Sequence, residues 1–251
     1  MIPHIIHLCW FGRGDYPELV KMCIDSWKQY LPDYEIKLWN EDTFDVNSTA
    51  YTEEAYKLKK WAFVSDYVRL VALEKYGGVY MDTDVEVIKD FSELLENGDY
   101  VSSTLEGGLI TAGFIACVPQ HPFVKELKKQ YDNGTFLHED GTIEFSMNPL
   151  LFTRLAQRMF GFSLGKVPFF KDEFTIYPMN YFMPFRKSFF GKNKYSHKKY
   201  VISEYTYCLH HDMGSWGTES QIRRLARFTA RVILPRQIYL GLKENRYKKI
   251  L

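Results

Sequence analysis

Two consecutive glycines set the terms for this chain. Gly77-Gly78 end a helical pattern and lead into the apolar run Val79-Tyr80-Met81, after which Asp82-Thr83-Asp84 places two carboxylates two residues apart. A helix closed by glycine and followed at once by a short apolar strand is a building step of an α/β sheet. Read as one strand, Val79 to Val87 puts Asp82, Asp84 and Glu86 on one face and Thr83 and Val85 on the other. Paired carboxylates at a strand end make a hard, oxygen-rich site suited to Mn²⁺ or Mg²⁺, above all one completed by phosphate oxygens. Taken alone, such a pair is more often a solvated strand end.

The residues just upstream sharpen the reading. In Ser65-Asp66-Tyr67-Val68-Arg69-Leu70, Asp66 and Arg69 share one helix face, one turn and a loop before the carboxylates. Ala62 to Asp66, Arg69, Gly77-Gly78, Tyr80, Asp82 and Asp84 together resemble the glycosyltransferases with a DXD sugar-binding region. That family includes the yeast initiating α-1,6-mannosyltransferase and bacterial capsule and lipopolysaccharide sugar transferases, and it is similar to the catalytic domain of the large glucosylating toxins. The resemblance runs from Ile2-Pro3-His4-Ile5-Ile6-His7 to Ser215-Trp216 and is strongest over residues 61–90. It implies a GT-A-type, Rossmann-like mixed sheet flanked by helices.

Length and composition agree with one sizeable α/β domain: 251 residues, 46% hydrophobic. The 18 Tyr and 19 Phe suit sugar or base stacking and suit a well-filled core equally. Cys9, Cys23, Cys117 and Cys208 have no metal-ligand spacing and read as buried free thiols in a reducing compartment. No stretch reads as a signal peptide or a membrane span, so the expected location is cytoplasmic, with the inner membrane face as a peripheral site.

Along the chain, Ile2 to Cys9 reads as a buried parallel strand ending in the Trp10-Phe11-Gly12-Arg13-Gly14 loop, on the edge where open α/β sheets gather ligands. A helix from Pro17 to Leu31, a strand from Tyr34 to Trp39 and a helix in one or two pieces from Tyr51 to Tyr76 follow. Further strands are expected at Tyr100–Thr104 and Gly113–Val118. Helices are expected at Phe91–Glu96, His121–Tyr131 and Asn148–Phe160.

Charge is segregated. Residues 183–251 carry 15 Lys and Arg against 4 Asp and Glu, a balance of +11, while residues 1–182 balance at −10. Residues 1–217 are expected to form the GT-A domain and 218–251 a basic amphipathic helical segment, with Arg223, Arg224, Arg227 and Arg231 among Ile222, Leu225, Phe228 and Val232. Such a segment suits an anionic membrane surface, or a helix packed on its own domain. No nucleic-acid-reading motif accompanies it.

The resemblance assigns roles to particular residues. Asp84 would hold a divalent ion, Mn²⁺ or Mg²⁺, and Asp82 would reach it through water or hold donor hydroxyls. One of His210 and His211 would complete the set, His210 being favoured, since strand alternation turns only one of them inward. Asp66 and Arg69 would bind the donor sugar, Arg69 also facing phosphates. Trp10 would stack on the base, Tyr80 would line the base or ribose pocket, and Ser215 and Trp216 would close over the diphosphate. His7 reads as a satisfied core histidine. Glu106, Asn148 and Asp172 are candidates for the acceptor side.

The function implied is transfer of a sugar, with retention, from a nucleoside diphosphate donor (UDP-linked first) to a polysaccharide or lipid-linked oligosaccharide. Catalysis would rest on Asp82, Asp84 and Arg69. A metal-dependent phosphohydrolase and a non-catalytic nucleotide-sugar-binding protein are the alternatives. The first would need further clustered acids that the sequence does not show. Intact Asp66, Arg69, Asp82 and Asp84 argue against the second.

Overall fold

A computed structural model describes residues 1–138, 148–187, 196–212 and 235–251. Ser215, Trp216, Arg223 to Val232 and the 217/218 boundary lie outside the described residues. Strands β1 (Ile5–Cys9), β2 (Glu35–Trp39), β3 (Gly78–Met81), β5 (Tyr100–Thr104), β6 (Ile110–Cys117), β7 (Phe169–Lys171) and β8 (Phe174–Tyr177) form one mixed sheet in the order β2-β1-β3-β6-β5-β8-β7. β1 runs parallel to β2 and β3, and β5 parallel to β8, whereas β6 is antiparallel to β3 and β5. The remaining strands, β4 (Val85–Val87) and β9 (Cys208–His210), pair antiparallel as a separate two-stranded ribbon.

Both faces of the sheet are covered, as its largely parallel, apolar half requires. On one face, α2 (Ala50–Lys57), α3 (Trp61–Tyr76), α4 (Pro122–Asp132) and α5 (Asn148–Phe160) build a core with Tyr67, Leu70, Leu73, Ile115, Phe123 and Phe152. On the other, α1 (Glu18–Tyr30) and the ribbon close over Ile6, Leu8, Val79, Met81 and Phe114. Neighbours in β3 divide between the two cores, Val79 and Met81 to one and Tyr80 to the other. The mixed sheet flanked by helices is therefore the fold that the sequence implied.

Gly77 and Gly78 join α3 to β3 at φ +61° and +89°. A Cβ at Gly78 would stand 2.5 Å from the Ile5 carbonyl oxygen, so only glycine lets β3 enter beside β1.

The stretch Val79–Val87 is two strands rather than one. The main sheet ends at Met81; the chain turns at Asp82-Thr83-Asp84, with the Val85 N–H donating to the Asp82 carbonyl at 2.9 Å, and β4 leaves for the ribbon. Side chains of α1 hold β4 from behind: Trp27 Nε1 donates to the Val85 carbonyl (2.7 Å), and Ser26 Oγ accepts from the Val87 N–H (2.9 Å).

The described part of the basic C-terminal segment is helix α6 (Arg236–Ile250). Tyr239 is buried, and its hydroxyl and Lys243 Nζ both reach Glu106, at 3.3 and 3.0 Å. This fixes α6 on the loop between β5 and β6.

Candidate active site

The turn after β3 and the end of β9 bring three sequence-expected ligands together. One ligand atom from each of Asp82, Asp84 and His210 lies within 4.8 Å of the others. His210 Nε2 is 3.1 Å from Asp84 Oδ1 and 3.7 Å from Asp82 Oδ2. The ribbon register sets Val85 opposite His210, which brings the imidazole to the carboxylates. Asp84 is 8% exposed, so its charge is largely withdrawn from water and needs a positive neighbour.

His211 points elsewhere, as alternation along a strand end demands. Its Nε2 lies 3.0 Å from Glu86 Oε2 and its Nδ1 3.0 Å from the Tyr200 hydroxyl. Glu86 uses its other oxygen toward His197 Nε2 at 2.9 Å. Glu86 and His211 thus pair with each other rather than joining Asp82 and Asp84, so the common face expected for Asp82, Asp84 and Glu86 does not form.

Asp82 is braced through one oxygen and open through the other. The Tyr80 hydroxyl donates to Oδ1 at 2.8 Å, and Arg69 Nη1 stands 3.5 Å from the same atom. Oδ2 faces His210. Arg69 is buried, with Nη2 on Asp66 Oδ1 at 2.5 Å, Nη1 donating to the Ala112 carbonyl at 2.6 Å and Nε to the Ser65 carbonyl at 3.2 Å. Its guanidinium lies 4.3 Å from the centre of the Tyr80 ring. Burial works against the Arg69 charge, but Tyr80, Asp66 and Asp82 more than offset it and hold the group cationic. Burial likewise pushes the Asp66 carboxyl upward, opposed by Arg69. The helical Asp66–Arg69 pair is thus a buried support of the carboxylate turn.

Asp212 and Gly113 complete the site without having been singled out in the sequence. Asp212 takes a left-handed conformation, φ +49°, and its Oδ1 lies 3.1 Å from His210 Nδ1. The pair orients the ring with Nε2 toward Asp82 and Asp84. Burial disfavours a charged His210, yet Asp84 and Asp212 raise its pKa well above the ordinary imidazole value. Adjacent sequence gave the one signal for this, an acid two residues past a histidine. Gly113 gives no such signal: a Cβ there would stand 2.7 Å from Asp82 Oδ2.

The donor set of two carboxylates and one imidazole, with a carboxylate behind the imidazole, suits Mn²⁺ or Mg²⁺. The strong preference for positive charge at His210 is the same preference that a divalent ion would meet.

Trp10 follows β1 on the sheet edge to which β3 also delivers Asp82, because the two strands are parallel. Its Nε1 donates to the Gly14 carbonyl at 2.6 Å, and its ring meets Tyr16 edge-on at 5.1 Å. Trp10, Arg13, Tyr16, Asn40 and Glu41 line a cleft of about 300 Å³. Asn148 is buried at the start of α5 beside Asp66. Glu106 is engaged by α6, and Asp172 sits in the turn between β7 and β8.

Residues 17–101 match the family model described as "Glycosyltransferase sugar-binding region containing DXD motif". The chain is similar to inositol phosphoceramide mannosyltransferase 3 of Schizosaccharomyces pombe, 29% identical over 59% of this chain and 43% of that protein. It is also similar to mannosyl phosphorylinositol ceramide synthase SUR1 of Saccharomyces cerevisiae, 31% identical over 55% of this chain and 37% of that one. It therefore spans less than half the length of these relatives. Among solved structures, PaToxG Glycosyltransferase superposes with a TM-score of 0.48 at 19% identity, over 64% of this chain and 70% of that one. The galactosyltransferase LgtC gives 0.44 at 14% identity, over 93% and 98%. Residues 17–101, the stretch that matches this family model, contain Asp66, Arg69, Asp82 and Asp84.

Proposed function

We propose that the protein is a divalent-metal-dependent glycosyltransferase that moves a sugar, with retention, from a nucleoside diphosphate donor to a saccharide acceptor. The observation that carries this reading is the convergence of Asp82, Asp84 and His210 beside the buried Asp66–Arg69 pair. In it, Asp82, Asp84 and His210 hold Mn²⁺ or Mg²⁺, which supplies Lewis-acid stabilisation of the charge growing on the departing diphosphate. Asp212 holds His210 in the orientation that presents Nε2. Tyr80 and Arg69 fix Asp82 and keep its second oxygen directed at the cluster. Trp10 and its cleft take the nucleoside base, and Asp66 and Arg69 serve the donor sugar, as the family resemblance implies. The mannosyltransferase names of the two yeast relatives put mannose beside glucose and galactose among the sugars to test.

The acceptor side of the reading is a lipid-linked saccharide at an anionic membrane face, supported by the charge balance of +11 over residues 183–251. Among the described residues no helix is long and apolar enough to cross a membrane. Sedimentation with vesicles checks this part: equal binding to anionic and neutral lipid would remove it.

A melting screen of UDP- and GDP-linked sugars, each with Mn²⁺ or EDTA, on wild type and Asp84→Ala tests the core of the proposal. A donor-dependent rise that needs both metal and Asp84 is expected. A rise that survives EDTA and the substitution would leave a nucleotide-sugar-binding protein, and release of inorganic phosphate from the donor would point to a phosphohydrolase.

A further inference from the structure

Helix α6 carries apolar side chains on two sides, and one side packs on the domain. There Tyr239 is buried, and Arg154 Nη2 donates to the Ile250 carbonyl at 3.1 Å. The Tyr247 ring lies on the bare backbone of Gly107, where a Cβ would stand 2.6 Å from it. On the side turned away from these contacts, Ile238 and Leu242 stand one turn apart and are 52% and 57% exposed. Asn245 and Lys249 continue that line at helical spacing, flanked by Arg246 and Lys248, and all four are exposed. Residues 235–251 carry five Lys and Arg against one Glu, and that Glu244 is paired with Lys248 at 2.6 Å. Large aliphatic side chains set in water among cations are the pattern of a helix that lies on a lipid headgroup layer.

The sheet fixes where this helix stands. Met81, the last residue of β3, pairs with Phe114, and β6 continues past that point to Ile110. The loop between β5 and β6 therefore lies beyond the strand end from which Asp82 and Asp84 emerge. Glu106 in that loop meets Tyr239 and Lys243, so α6 stands on the same edge of the sheet as the Asp82–Asp84–His210 cluster.

We propose that the outward side of α6 docks on an anionic lipid bilayer and holds this edge of the sheet at the membrane. Ile238 and Leu242 enter the headgroup boundary, and Arg246, Lys248 and Lys249 meet the lipid anions. Charge complementarity selects this occupant, because a second copy of the chain would set one basic face against another. The docking follows from α6 itself. That it brings a lipid-borne acceptor to the metal cluster rests on the transferase reading.

The four native cysteines are buried, so a polarity-sensitive thiol dye can report from Leu242→Cys. Lys75→Cys is the control, exposed at the end of α3 that leads into β3, on the opposite edge of the sheet. Phosphatidylglycerol vesicles should shift the dye at position 242 to the blue and leave the dye at position 75 unchanged, and phosphatidylcholine vesicles should shift neither. Arg246→Glu with Lys249→Glu should weaken sedimentation with phosphatidylglycerol about tenfold or more. Melting curves establish that each variant is folded. No shift at position 242, an equal shift at position 75, or undiminished binding by the folded charge-reversed protein overturns the proposal. A dimer in light scattering that Leu242→Ser splits would give this side of α6 to a second copy, and would also overturn it. The donor melting screen reads the transferase separately. Vesicle binding without any donor response would refute that reading and leave the docking face standing, and a donor response without vesicle binding would do the reverse.

Discussion

Asp82 is placed by its neighbours more than by its own position in the chain. Tyr80 and Arg69 share one of its oxygens, and the bare backbone of Gly113 leaves room for the other. Gly113→Ala should therefore displace the carboxylate and weaken Mn²⁺ binding in calorimetry, while the melting temperature moves little. Asp212→Ala removes the group that orients His210 and should weaken metal binding by about 10- to 100-fold. Unchanged Mn²⁺ affinity in that variant would show that the ring needs no such guide. His7 is a second residue held by two partners: Nε2 meets the Gly77 carbonyl at 2.7 Å and Trp39 Nε1 donates to Nδ1 at 3.1 Å. Burial lowers its pKa to about 4 from an ordinary 6.5. The unfolded chain then binds the proton more readily, so stability falls as pH drops from about 6.5 toward 4. The expected loss is about 2 kcal/mol at about pH 5. His121, also lowered to about 4, adds a loss of the same sign. Urea unfolding near pH 7.5 and pH 5 should show a smaller difference for His7→Gln than for wild type, and an equal difference would remove His7 as the cause.

At the scale of elements, much of the sheet was readable because its signals are local. The glycine pair, the buried run of β1 and the helical spacing of α1 and α3 each specify an element without help from elsewhere. The break inside Val79–Val87 was not readable. Alternation continues unbroken through Asp82-Thr83-Asp84, and what pulls β4 out of the main sheet is β9, more than 120 residues later, together with Trp27 and Ser26 of α1. For the same reason the sequence could favour His210 over His211 but could not show that Glu86 would face His211. Trp27 was legible as core and illegible as a hydrogen-bond donor. Trp27→Phe keeps the ring and deletes the bond to the Val85 carbonyl, an expected cost of about 1 kcal/mol in denaturant melts. Its effect on Mn²⁺ affinity should be larger than that of a core substitution in α4.

Across the whole molecule, all four cysteines are buried free thiols, Cys9 and Cys117 in one core, Cys208 in the other and Cys23 on α1. Burial pushes the Cys9 thiol up to about 12 and raises Cys23, Cys117 and Cys208 as well. A thiol-specific dye should leave the native protein unmodified and label four groups after denaturation; rapid labelling of any one in the native state would contradict the packing. Charge is also divided at this scale, and α6 shows how the described end of the basic region stays with the domain, through Glu106.

The ribbon has a consequence for motion. Its three-residue strands bring His210 to two acids borne on the turn that leaves a far larger sheet. Opening such a short pairing exposes few amides and leaves the seven-stranded sheet intact, so it should occur far more often than global unfolding. Each opening parts His210 from Asp84. Hydrogen exchange at the amides of Val85, Val87 and His210 should therefore slow when Mn²⁺ is added, while exchange in β3 and β6 stays the same. The affinity of the site for its ion would then be set partly by how often a six-residue latch is shut.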